Sequence, residues 1–88
     1  MEEHLVYILQ SLTDGSFYVG YTSFLILRFK EHQGGRSSHT SKHLPYIVRY
    51  IEVFDNKTDA LKRERQIKNR KSRAYIMQLI EDLESSVG

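Results

Sequence analysis

The stretch that decides the fold is His4-Leu5-Val6-Tyr7-Ile8-Leu9, then Thr13-Asp14-Gly15-Ser16, then Phe17-Tyr18-Val19-Gly20-Tyr21. Two runs rich in β-branched and aromatic residues flank an Asp-Gly pair, which predicts an antiparallel hairpin. With a two-residue turn at Asp14-Gly15, Tyr7 lies opposite Thr22 and Tyr18 opposite Ser11. Side chains alternate along a strand, so Tyr7, Tyr18 and Gly20 share one face. Two hydroxyls beside a glycine leave room for close approach at that face, although tyrosine is also an ordinary strand residue.

Working outward, Ser23 is a fitting N-cap for a helix to about Gln33, which Gly34-Gly35 stops. A polar loop runs to Leu44. Pro45 opens a strand over Tyr46–Phe54. Asn56 and Asp59 have the spacing of a capping box, with Asp in place of Glu or Gln, ahead of a helix to about Asn69. Ser72 caps a last helix whose apolar stripe is Ala74, Tyr75, Ile76, Leu79, Ile80 and Leu83. The expected fold class is α+β, a three-stranded antiparallel sheet flanked by helices in the order β-β-α-β-α-α. One domain over residues 1–84 and a tail over 85–88 are expected.

The 88 residues allow one modest core. The chain has no cysteine, which excludes disulfides, thiolate zinc sites and cysteine nucleophiles. No apolar run reaches the roughly 20 residues of a membrane helix, and the acidic start is unlike a signal peptide. The expectation is a cytoplasmic protein with no membrane partner. The net charge of +2 is an average. Between Lys57 and Arg73 eight basic residues face only Asp59 and Glu64, a local +6, while Glu81, Asp82 and Glu84 make the end acidic. Such a block is either a solvated helix face or a polyanion footprint.

Two further places set polar residues against the apolar pattern. Arg28 and His32 are four apart and border the apolar side of the first helix. Glu64 lies three residues from both Leu61 and Ile67, inside the stripe of the second. A carboxylate there needs a partner, either an arginine in a structural ion pair or a metal or acid/base role in a cleft. His39 and His43 lie in a Gly/Ser loop, where i,i+4 spacing has no helical meaning, and are not read as a metal site.

Tyr7, Tyr18-Val19-Gly20, Arg28, His32 and Glu64, in this order, resemble the GIY-YIG nuclease superfamily, specifically its small single-domain bacterial members. The resemblance runs through Leu5-Val6-Tyr7, Phe17 to Thr22, Arg28 to His32, Thr40 to Pro45 and Ala60 to Lys68. It implies Mg²⁺- or Mn²⁺-dependent hydrolysis of DNA phosphodiester bonds, on structured or single-stranded substrates among others, with one ion and no small-molecule cofactor. Tyr7, Tyr18, Arg28, His32 and Glu64 take the catalytic positions, and Glu64 also the metal position. Arg28 would hold a non-bridging phosphate oxygen, and either Tyr7 or His32 would be the general base. Gly20, Arg36, Lys42, Lys62, Arg65, Lys68, Arg70 and Lys71 would contact the nucleic acid, the cations through phosphates and without sequence information.

The chain departs from the family pattern in several places. Leu5 stands where a glycine is expected, Tyr21 where some relatives have lysine, Phe24 where asparagine is common, and Ile76 where many catalytic relatives carry an asparagine. The last departure keeps a rival open: a non-catalytic nucleic-acid-binding module on the nuclease fold. A protein-interaction domain in which Glu64 is only structural is the third reading. The oligomeric state is not set by the sequence.

Overall fold

The computed structural model describes residues 3–24, 27 and 44–87. The helix expected after Ser23 lies outside them apart from Ser23, Phe24 and Leu27, as do Arg28, His32, Arg36 and Lys42.

Three strands, β1 (His4–Ser11), β2 (Phe17–Thr22) and β3 (Tyr46–Phe54), form one antiparallel sheet in the order β2-β1-β3. Two helices follow, α1 (Lys57–Arg70) and α2 (Arg73–Val87). The α+β class and the order of the described elements match the expectation. The helix α2 itself takes in residues 85–87, which the sequence reading assigns to a tail.

The hairpin turn differs from expectation in length. The loop is Leu12 to Gly15, closed by Ser11 N donating to Ser16 O (2.8 Å) and Gly15 N to Ser11 O (2.9 Å). The Ser11 hydroxyl accepts from the amides of Thr13 and Asp14, and Asp14 Oδ1 from Ser16 N. Gly15 has φ 76°, a conformation glycine adopts without a Cβ penalty. Tyr7 therefore pairs with Gly20 and Leu5 with Thr22. The shift is even, so the shared face of Tyr7, Tyr18 and Gly20 survives it.

The central strand β1 is buried continuously from Leu5 to Leu9. On one face Val6, Ile8, Val19 and Tyr50 pack against Ala60, Ile67 and Ile80 of the two helices. Tyr7, Leu9 and Tyr46 form a second cluster on the other face, with Tyr18 and Leu44 against it. In β3 the pairing slips between Tyr50 and Val48, leaving Arg49 as the bulged residue. Arg49 reaches Gln10 and, at 3.4 Å, Glu84 of α2.

Both helix starts follow the sequence signals. Asn56 Oδ1 accepts from Asp59 N at 2.8 Å, and Ser72 Oγ from Tyr75 N at 3.1 Å. Lys71 ends α1 in the left-handed conformation, φ 49°, with its amide donating to Lys68 O. In α2, Ala74 is exposed, a correction to its place in the expected stripe, whereas Tyr75, Ile76, Leu79, Ile80 and Leu83 pack on the core. No helix among the described residues is long and apolar enough to cross a membrane.

Candidate active site

Tyr7 and Tyr18 stand on neighbouring strands, on the sheet face opposite α1 and α2. Their ring centroids are 6.3 Å apart at 32°. Tyr7 is 2% exposed and Tyr18 half-buried. The room left at Gly20 is taken by the Tyr7 ring: a Cβ there would come within 2.5 Å of Cζ and 3.0 Å of Cε1. The glycine next to Tyr18-Val19 is thus required sterically by the tyrosine across the strand pair.

A third tyrosine joins this face. Tyr46, directly opposite Ser11, is as buried as Tyr7. Burial first, then the charge of Asp14 and the neighbouring Tyr18, push its pKa above the usual tyrosine value. Tyr46 therefore keeps its proton more firmly than an ordinary tyrosine. No spacing argument could find it, because a bulge separates its parity from that of Tyr50 on the same strand.

Glu64 sits on the sheet side of α1 between buried Ala60 and Ile67, with its side chain 20% exposed. The ion pair the structure gives it is with Lys68 of the next turn, Nζ to Oε1 3.4 Å, a lysine whose side chain is 49% exposed. An arginine salt bridge is made by its neighbour. Arg63 is 19% exposed and donates through Nε to Glu52 Oε2 at 3.1 Å. It also donates to Tyr75 Oη at 3.2 Å and Gln66 at 2.9 Å, while Tyr50 Oη donates to the same Glu52 oxygen at 2.6 Å. Burial works against the Arg63 charge, but the bonds to Glu52, Tyr50 and Tyr75 outweigh it and raise its pKa above that of a free arginine. The sequence signal for this network is Glu52: it pairs with Val6, hence faces the helices, where a carboxylate needs a cation.

Among the described residues no three His, Asp or Glu side chains converge as a metal cage. Glu64 alone is a hard oxygen donor, half-withdrawn from solvent and paired with a flexible ammonium. That suits an ion such as Mg²⁺, which keeps several waters and is bound through one or two carboxylates plus substrate phosphates. The residues fit a divalent ion of that kind.

Lys62, Arg65, Lys68, Arg70 and Lys71 are all exposed. Arg70 lies over the Tyr75 ring at 4.5 Å. A groove of about 550 Å³ runs between the outer edge of β2 and the junction of α1 and α2. Tyr18 and Lys68 both line it, whereas Tyr7 and Glu64 do not.

Residues 3–77 match the family model described as the GIY-YIG catalytic domain. A UPF0213 protein of Staphylococcus haemolyticus is 35% identical over 93% of this chain and 99% of its own length. One from Halobacterium salinarum is 38% identical over 74% of this chain and 84% of its own. The solution NMR structure of a UPF0213 protein from Bacillus halodurans is similar with a TM-score of 0.58 and 34% identity, covering 90% of this chain and 83% of the other.

Proposed function

The chain belongs to the GIY-YIG nuclease family, and from that premise we propose that it is an endonuclease hydrolysing DNA phosphodiester bonds with one divalent ion, Mg²⁺ or Mn²⁺, at Glu64. The observation that carries the reading is the Tyr7 ring seated on Gly20 beside Tyr18. It accounts sterically for the glycine beside Tyr18, and separately the ion pair described for Glu64 is with a half-exposed lysine. Nucleases of this family use a divalent metal.

When bound, the ion supplies neutralisation of the phosphate charge and stabilisation of the leaving oxygen. Glu64 holds it, and Arg28 binds a non-bridging oxygen as charge develops. Either Tyr7 or His32 takes the proton of the attacking water. A tyrosine with a pKa near 10 is a poor base at neutral pH, so Tyr7 needs a cationic neighbour for that task and His32 does not. Tyr18, packed against Tyr7, fixes its ring. The substrate is DNA, structured or single-stranded forms included, and the exposed cations of α1 meet its phosphates.

A second reading, a binding module without catalysis, draws on Ile76, which packs on the core where many catalytic relatives carry an asparagine. A cleavage assay on plasmid, branched and single-stranded DNA with Mg²⁺ or Mn²⁺ decides between them. The endonuclease reading expects cutting by the wild type and its loss in Glu64→Ala, Arg28→Ala and Tyr7→Phe. Equal cutting by Glu64→Ala, or none by the wild type, sinks it. Salt-sensitive binding without cutting selects the module.

A further inference from the structure

The groove beside β2 has an apolar floor and a cationic rim. Phe17, Ile67 and Ile76 contribute the floor, and Lys68, Lys71 and Arg73 the rim, with no acidic side chain among the described residues that line it. Arg73 is held in place by its bond to Gly15 O (2.8 Å) and by lying 4.7 Å over the Phe17 ring. Charge complementarity identifies the occupant as the phosphodiester backbone of the DNA strand. One rim cation has a second commitment: Lys68 lines the groove and also pairs with Glu64.

We propose that the groove is a subsite for the DNA backbone and that Lys68 couples it to Glu64, so that backbone phosphate in the groove and a divalent ion at Glu64 favour each other. The proposal rests on the assignment of Glu64 as metal ligand. With the groove empty, the Lys68 ammonium neutralises Glu64 and repels a dication approaching the same carboxylate. Phosphate in the groove offers Lys68 another anion within its reach. The carboxylate is then released where substrate is present. The lysine is exposed and its stem flexible, so the exchange costs one exposed i,i+4 pair, which is a weak contact. Linkage makes the effect reciprocal: the ion must tighten DNA binding by the factor by which DNA tightens ion binding.

Mn²⁺ binding to the full chain, read by the electron paramagnetic resonance of free Mn²⁺, tests this with and without a hydrolysis-resistant phosphorothioate oligothymidylate. Without the oligonucleotide, Lys68→Met should bind Mn²⁺ roughly three- to tenfold more tightly than the wild type, as expected for removing a cation beside the ligand. Lys71→Asn, which keeps the left-handed cap, should leave Mn²⁺ binding unchanged but weaken oligothymidylate binding and reduce its salt slope by about 1. Oligothymidylate should tighten Mn²⁺ binding in the wild type and do so less in Lys68→Met. If Lys68→Met does not tighten Mn²⁺ binding, or both proteins gain equally from the oligonucleotide, the coupling is wrong while the nuclease reading stands. Unchanged oligothymidylate affinity in Lys71→Asn overturns the subsite. Glu64→Gln should lose Mn²⁺; if it binds as the wild type does, the metal assignment itself fails and the coupling with it.

Discussion

The atoms around Gly20 leave no room for a side chain. Its backbone carries the Tyr7 ring, and an added methyl group would overlap Cζ at 2.5 Å. Tyr7 cannot retreat freely, because it is 2% exposed and packed with Leu9 and Tyr46. Gly20→Ala should therefore destabilise the fold by about 1–3 kcal/mol, the usual cost of overpacking, measured by urea unfolding, and should displace the Tyr7 hydroxyl enough to lower cleavage. A Gly20→Ala protein as stable as the wild type would mean that the ring is not held where it lies. The tyrosines also set a pH limit. Burial raises the pKa of Tyr46, and burial together with the bond to Glu52 raises that of Tyr50. The folded state then holds protons that the unfolded chain releases near the ordinary value of 10. The stability this represents is intact below pH 10 and falls as pH rises through the raised folded values. Thermal melts from pH 8 upward should show the decline, and Tyr46→Phe and Tyr50→Phe should each flatten it.

At the scale of elements, the position of Glu64 depends on how α1 is fixed to the sheet, and Arg63 fixes it. Through Glu52, Tyr50 and Tyr75 this one guanidinium ties α1 to β3 and to α2. Arg63→Ala would leave the Glu52 carboxylate facing the helices with Tyr50 as its one partner among the described residues. A cost of about 1.5–3 kcal/mol is expected for losing a charged, half-buried partner, against less than about 0.5 kcal/mol for exposed Lys62→Ala. Chemical denaturation of the two variants checks this, and equal costs would reduce the network to surface pairing. Arg63 also marks how far local sequence pattern reaches. The hairpin, the two helix caps and the Tyr7/Tyr18/Gly20 face are local consequences of turn chemistry, capping spacing and strand alternation, so they were legible. Asp14-Gly15 gave the correct face with the wrong loop, since only parity, and not turn length, was needed for the face. Glu64 was legible as a carboxylate inside an apolar stripe. The pairing of Arg63 with Glu52 was not, because it joins the helix to a side chain of another element. Tyr46 lay beyond reach for the same kind of reason: a bulge at Arg49 changes which β3 residues share a face.

For the molecule as a whole, the near-neutral charge conceals a division of labour. The cations gather on α1 and at its junction with α2, next to the groove along β2, and the acidic residues Glu81, Asp82 and Glu84 lie farther along α2. Arg49 at the β3 bulge meets Glu84 there, so the acidic end is partly neutralised. A DNA backbone entering the groove therefore meets cations and no acidic side chain among the described residues that line it, although the net charge is only +2. Two classes of exposed cation can be separated on this basis. Lys62 and Arg65 stand on α1 without lining the groove, whereas Lys71 lines it. If the whole basic block tracks the backbone, replacing Lys62 or Arg65 with glutamine should lower affinity to the same degree for every DNA sequence. Every phosphate that is no longer neutralised should also reduce the slope of log affinity against log salt by about 1. If only the groove grips the strand, those two variants keep the wild-type slope and Lys71→Asn alone changes it. Fluorescence anisotropy over a salt series separates the two outcomes and gives the number of phosphates that this small domain contacts.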